Sequence, residues 1–481
     1  MHFLLYIVII IYKCAKKQYF KGGILDIVVH STLSERPKHI SEKELEPELD
    51  IRGASSHQGE MNYERFINCI SAKRKPSLIR EMSALLAKCG PNMIPLYGGM
   101  PNPEMFPFKS ATVEISDGSK IEVAGAEMAS ALQYLPTYGH GELVTWLKNW
   151  QIDVHNPPEA MWGNSELLIT SGSQDGLCRA FEMLLNEGDS VIVEDYIYSG
   201  TLAIMNPYKP KYLVVHSDQD GMRPDKLREV LAYKRQSCGG APKIMYINPT
   251  GANPTGTVLK LERRKEIYQI ACEYDILILE DDPYFFMQFS KCKVPSLFSM
   301  DTEGRVLRFD SFSKILSSGI RLGFVTGPKP LVKQIMLHMQ VSVINAASLS
   351  QVVTNKLLQL WGNDGLKEHI SQVAKFYEER RDAMLAAADK HLTGLCEWRI
   401  PQGGMYLWIK VHGVDDTYDM IMERAIQKNV MLLPGKTFST EGGNGCKFLR
   451  AAYSIASVDK MDVAFQRLAT LIEEELKLRY K

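Results

Sequence analysis

From about residue 96 to residue 329 the chain alternates two patterns. Short apolar runs bounded by turn residues alternate with segments whose apolar positions recur every three to four residues. The runs predict strands buried on both faces at Glu166–Thr170, Ser190–Glu194, Lys243–Asn248, Ile276–Glu280, Val306–Asp310 and Leu322–Thr326. Between them, Leu261, Ile267, Ile270, Ala271 and Tyr274 fall on one face of an amphipathic helix over Leu261–Tyr274. Strand and helix in alternation predict parallel strands joined by crossover helices, an α/β fold. Near residue 373 the pattern changes to a long charged helix (Gln372–Lys390), strands at Met405–Val411 and Phe448–Tyr453, and a final amphipathic helix, Val458–Leu478. These features predict a large domain over 96–372 with a mostly parallel sheet between helices, and a smaller α+β domain over 373–481.

The first sixty residues are patterned differently. Phe3–Tyr12 is an unbroken apolar run of ten. As a helix it would reach about 15 Å, half a bilayer core, so no membrane span is expected. Positive charge follows the run instead of preceding it, and no small-x-small cleavage site is evident, so a secretory signal fits poorly. The acids of residues 36–52 argue against a mitochondrial transit peptide, and cytosol and mitochondrion both stay open. Thr32–Glu60 is polar and reads as linker or disordered chain. Residues 1–60 are thus expected to be a dispensable extension, and 61–95 an N-terminal segment able to gate a site.

Composition narrows the function. At 481 residues, 45% hydrophobic and 23% charged, the chain suits a globular protein of more than one domain. Lys+Arg and Asp+Glu balance at 56 each, which argues against a nucleic-acid partner. Nine scattered cysteines without a C-x-x-C pair favour neither a disulfide framework nor a metal site.

Chemistry in such sheets collects at the carboxyl ends of the strands. After Glu166–Thr170 comes Ser171-Gly172-Ser173-Gln174-Asp175-Gly176, where a helix start suits either a phosphate or an ordinary N-cap. After Ile276–Glu280 come Asp281 and, three residues on, Tyr284; the pair could face one planar heterocycle or begin a capped turn. After Val306–Asp310 come Ser311, Ser313 and Lys314, with Arg321 seven residues beyond the lysine. A lysine at the mouth of a buried sheet is costly unless paired or covalently used, and hydroxyls with an arginine suit a phosphate dianion. Asn253-Pro254-Thr255-Gly256 follows Lys243–Asn248, but Asn248-Pro249-Thr250-Gly251 has the same letters, and position alone does not separate them. The conjunction carries more weight than any one motif.

At these residues the chain resembles the fold-type I aminotransferases that use pyridoxal 5'-phosphate, and most closely the kynurenine/α-aminoadipate aminotransferases. The resemblance runs from about Met61 to the C-terminus. It includes Gly98-Gly99-Met100-Pro101-Asn102-Pro103, Phe106-Pro107-Phe108, Tyr198-Ser199-Gly200-Thr201, Glu280-Asp281-Asp282-Pro283-Tyr284 and Met405-Tyr406-Leu407-Trp408. It implies that Lys314 holds the cofactor as a Schiff base and later moves a proton. By the same likeness Asp281 pairs with the ring nitrogen, Tyr284 and Asn253 hold the phenolic oxygen, and Tyr198 stacks on the ring. Ser173, Gln174, Ser311, Ser313 and Arg321 would bind the phosphate. Tyr134 would enter the neighbouring subunit's site in an obligate homodimer. Arg450 would clamp a substrate α-carboxylate, with Arg80 and Gly99 beside the side chain. Two positions depart from the family pattern: Tyr196 stands where relatives usually carry Pro, and Tyr97 where they carry a small residue.

The implied reaction is transamination of L-kynurenine or L-2-aminoadipate with 2-oxoglutarate, in ping-pong order. The chemistry explains the residue types. A carboxylate about 4 Å from a pyridinium gains roughly 4 kcal/mol at an effective dielectric of 20, and an arginine matches a carboxylate with two parallel hydrogen bonds. An aromatic or branched-chain aminotransferase of the same fold is the alternative. A pyridoxal-phosphate-sensing regulator would need a basic DNA-binding module, for which residues 1–60 are too short and insufficiently basic.

Overall fold

The computed structural model describes residues 61–86, 88–90, 92–236, 241–440 and 445–479. The run Phe3–Tyr12, the stretch Thr32–Glu60 and the extension 1–60 as a whole lie outside the described residues. Seven strands form the main sheet: β1 (Ser165–Thr170), β2 (Ser190–Glu194), β3 (Lys211–Val215), β4 (Ile244–Ile247), β5 (Leu277–Asp281), β6 (Val306–Ser311) and β7 (Gly323–Pro328). They lie in the order β1-β7-β6-β5-β4-β2-β3. Six of them match the apolar runs to within a residue or two.

The sheet is mostly parallel, as expected, with one strand direction that differs and one strand that was not foreseen. The strand expected at Leu322–Thr326 forms as β7, but it runs antiparallel to both β6 and β1, so the sheet is mixed. The cause is the link over residues 312–322, which contains no α-helix to carry the chain back for a parallel pairing. The edge strand β3 was not foreseen, because Lys-Tyr-Leu-Val-Val at a sheet edge is buried only at its last residue.

Side chains alternate between two cores, as strand geometry requires. Tyr246, Leu277, Leu279, Leu307 and Phe309 face helix α1 (Ser173–Leu184) through Leu177 and Phe181. Met245, Ile247, Ile278 and Val306 face the opposite way, against Ile267 and Ile270 of helix α2 (Leu261–Glu273). Each fully buried Leu, Ile or Phe contributes about 1.5–3 kcal/mol, so the strand ends rest on a stiff platform.

A second, antiparallel sheet holds β8 (Cys396–Trp398), β9 (Tyr406–Val411), β10 (Leu433–Pro434) and β11 (Phe448–Ala452), in the order β8-β9-β11-β10. Leu407, Ile409, Leu449 and Ala451 pack on helix α3 (Ser348–Leu392) and helix α4 (Val458–Arg479). The charged helix expected at Gln372–Lys390 is the second part of α3, whose regular path breaks at Gly362 (φ 61°). The expected domain edge at 373 therefore falls inside a helix. Among the described residues no helix is long and apolar enough to cross a membrane.

Candidate active site

The carboxyl ends of β1, β2, β4, β5 and β6 surround a cavity of about 250 Å³. Ten residues singled out in the sequence line it: Ser173, Gln174, Tyr198, Asn253, Asp281, Tyr284, Ser311, Ser313, Lys314 and Arg321. They come from six separate stretches of chain, which only the sheet brings together.

One end of the cavity is built for an anion. Gly172, not a side-chain cap, occupies the N-cap of α1, so no side chain accepts from the helix's first N–H groups. An N-cap serine, the ordinary alternative for this motif, is thereby set aside. Arg321 donates to the Ser171 carbonyl (3.2 Å) and to the Ser313 hydroxyl (3.5 Å), while the Ser311 hydroxyl accepts from the Ser313 amide (3.1 Å). Gly172 has φ +87°, and a Cβ there would sit 2.6 Å from the Arg321 guanidinium. Arg321 itself is held at φ 53°, a left-handed conformation that costs about 1–2 kcal/mol in a non-glycine residue. A helix N-terminus, two hydroxyls and a guanidinium are the donor set of a phosphate site.

The other end is built for a cation. Asp281 ends β5 and is 4% exposed. Tyr246 donates to its Oδ2 (2.7 Å) and is itself hydrogen-bonded by Thr201 (3.1 Å), while Asn248 donates to the Asp281 carbonyl (2.6 Å). Its Oδ1 is buried without any hydrogen-bond partner among the described residues. Burial pushes the carboxyl up to about 6, against the hydrogen bond from Tyr246 and the nearby charge of Arg308. A buried oxygen left over in this way costs about 1–3 kcal/mol unless a donor arrives. Lys314 sits half-buried on the same cavity, and its ammonium has no partner among the described residues.

Behind Asp281, Arg308 is fully buried between Glu280 (3.1 Å), Asp282 (3.4 Å) and Asp310 (2.8 Å). With more acids than this one arginine can neutralise, burial drives Asp282 up to about 7. This network fixes the backbone on both sides of Asp281.

Arg450 of β11 stands beside the cavity. Its Nη1 donates to Asn253 Oδ1 (2.8 Å), and its guanidinium lies 4.2 Å from the centre of the Tyr406 ring. Burial pulls its pKa below the ordinary arginine value, partly offset by Tyr406, and its buried Nε has no partner among the described residues. Tyr284 and Tyr406 share a hydroxyl contact of 3.1 Å. The two Asn turns now separate: Asn248 spends its side chain on the Asp281 carbonyl and the Asn253 N–H (2.7 Å), while the Asn253 side chain meets Arg450.

Four expected residues are not among those lining the cavity of the single chain: Arg450, which stands beside it, and Arg80, Tyr134 and Gly99. Arg80 lies 5.8 Å from the Tyr134 ring, Tyr134 is half exposed, and Gly99 faces open space. Neither departure enters the cavity: Tyr97 bonds Ser83 (3.1 Å), and Tyr196 packs on Trp408 and Phe448. Sequence reading missed Tyr246 and Arg308, left Asn248 undecided against Asn253, and gave Tyr406 no role of its own. Each lies in or just after a strand that was foreseen, and a polar residue inside so apolar a run was the available signal.

A lysine, an acid and a set of anion donors thus meet at the strand ends of a mixed α/β sheet. The chain belongs to the aminotransferase class I and II family, whose profile matches residues 105–468, and it is an aminotransferase. It is 47% identical over 425 residues to the mitochondrial kynurenine/alpha-aminoadipate aminotransferase of Bos taurus, covering 86% of this chain and 100% of that one. The Mus musculus protein of the same name is 48% identical with the same coverage. Among solved structures, aminotransferase Aro8 from Candida albicans matches with a TM-score of 0.78 at 28% identity, over 87% of this chain and 99% of that one. The kynurenine aminotransferase of Pyrococcus horikoshii, in complex with PMP and KYN, matches with a TM-score of 0.68 at 31% identity, over 86% and 98%. The resemblance read from the motifs is borne out.

Proposed function

We propose that the chain transfers the amino group of L-kynurenine or L-2-aminoadipate to 2-oxoglutarate, using pyridoxal 5'-phosphate held at Lys314. The observation that carries this reading is the unpartnered Oδ1 of Asp281, set in one cavity with Lys314 and an anion cradle. When bound, the cofactor supplies an aldehyde for amines and a ring that accepts electrons. The phosphate would lie among Ser173, Gln174, Ser311, Ser313 and Arg321. Asp281 would keep the ring nitrogen protonated, with Tyr246 holding the carboxylate in place. Tyr198 would cover the ring, and Tyr284 and Asn253 would hold its phenolic oxygen. Lys314, once free, takes the substrate's Cα proton and returns it. Arg450 binds the α-carboxylate and so aims the Cα–H bond.

The same reading makes the active unit a homodimer, with Tyr134 entering the partner's site and Arg80 and Gly99 near the substrate side chain. Supporting this, Leu78, Ile79, Leu96, Met105 and Phe108 are each more than half exposed in the single chain, and apolar surface of this kind is what a subunit interface covers. Cytosol or mitochondrion is the proposed compartment, in keeping with the word mitochondrial in the mammalian relatives' names. An aromatic aminotransferase is the second reading, favoured by the match to Aro9 of Candida albicans, titled an aromatic aminotransferase. A panel of amino donors assayed on purified holoenzyme separates the two. Kynurenine or aminoadipate as best donor supports the first, and a preference for phenylalanine or tyrosine supports the second.

A further inference from the structure

We propose that a second cavity, closed between Glu194–Tyr196 and the outer faces of β8, β9 and β11, is a separate ligand site for a flat aromatic ring bearing a cationic amine. Its volume is about 400 Å³, and it shares no lining residue with the Lys314 cavity. That size suits a small organic molecule.

One wall is aromatic for a reason internal to the sheet. Along β9, Leu407, Ile409 and Val411 enter the core, so Trp408 and Lys410 must face the other way. Trp408 and Phe448 stack at 5.1 Å with planes 6° apart, and Tyr196 closes on them at 5.1 and 5.4 Å. Stacked rings present a negative face to any cation placed over them.

The opposite wall carries a buried carboxyl with no basic partner among the described residues. Glu194 ends β2 and is 8% exposed. It accepts from the Ser217 hydroxyl (2.9 Å), yet among the described residues no lysine or arginine pairs with it. Burial holds its carboxyl up at about 7. Two neighbouring acids have basic partners, Asp218 with Arg263 (2.6 Å) and Glu397 with Lys410 (3.0 Å), and Asp195 is hydrogen-bonded by the His216 ring (2.6 Å) and the Ser217 N–H (2.7 Å). Arg399, also in the lining, is exposed to solvent. A cation entering beside the rings therefore meets a buried carboxyl without a basic partner and stabilises its ionised form. The site also adjoins the chemistry, since Tyr196 is two residues from Tyr198 and Trp408 pairs across the sheet with Arg450.

The test is calorimetric titration of the holoenzyme with trimethyl(2-phenylethyl)ammonium. This probe has no carboxylate for Arg450 and no N–H with which to react at Lys314. We expect saturable binding of one probe per chain, weakened at least tenfold by Glu194→Gln and by Tyr196→Ala and unchanged by Arg450→Ala. The neutral 2-phenylethanol should bind at least tenfold more weakly to the unaltered protein, a comparison that holds even if a variant misfolds. No saturable binding, loss of binding in Arg450→Ala, or equal affinity for the neutral probe would each overturn the proposal. None of these outcomes bears on the transamination assay, so the two readings fail independently.

Discussion

At the scale of single residues, the account turns on a few charges in a dry cavity. Replacing Lys314 by Ala removes the only amine that the described residues bring to the lining, so turnover should fall by more than a thousandfold. The protein should lose its visible colour yet keep its circular dichroism, which spectra of the purified variant will show. Arg450→Lys keeps the charge but loses the planar pair of donors, so KM for the amino donor should rise roughly tenfold or more, read from steady-state kinetics. Asp281 gives a pH prediction whose sign is fixed. Its carboxyl is raised from 3.8 to about 6 in the cofactor-free protein, so the folded state favours the protonated form. The penalty for ionising it grows as pH climbs from about 4 to 6 and is complete above that, on the order of 3 kcal/mol. A cation on Oδ1 relieves the penalty. The thermal shift produced by pyridoxal phosphate should therefore be larger at pH 7.5 than at pH 5, and in Asp281→Asn that difference should shrink. An equal pH dependence in both proteins would remove Asp281 from the cation site.

At the scale of elements, the helix N-terminus at Ser173 and the turn before it decide where the anion sits. Gly172→Ala puts a methyl against Arg321 at a positive φ that alanine resists. Inorganic phosphate should bind the cofactor-free variant at least tenfold more weakly, measured by calorimetry; an unchanged affinity would move the anion elsewhere. Elements were the part of the fold most legible in sequence. Leu-Ile-Leu in β5 and Val-Leu-Arg-Phe in β6 can hardly be anything but buried strands. The direction of β7 was not legible, since an apolar run has no polarity of its own and the short link at 312–322 sets it. The candidate site was legible because the letters following each strand were read as one set. Tyr246 and Arg308 escaped because they sit inside strands, where their cross-strand partners Asp281 and Glu280 are known only once the strands are placed side by side.

At the scale of the whole molecule, two expectations remain to be met by experiment. Protein begun at Met61 should retain full turnover, and a loss on removing residues 1–60 would give that segment a role. Sedimentation should find two chains per particle, and mixing an inactive Lys314→Ala chain with an inactive Tyr134→Ala chain should restore part of the activity through hybrid dimers. Above both stands the central claim, that one lysine at the end of β6 carries the cofactor. Its most direct test is to load the protein with pyridoxal phosphate, fix the cofactor with borohydride and map the modified peptide by mass spectrometry. The account predicts a single labelled side chain, Lys314; a label on another lysine, or none, would contradict it.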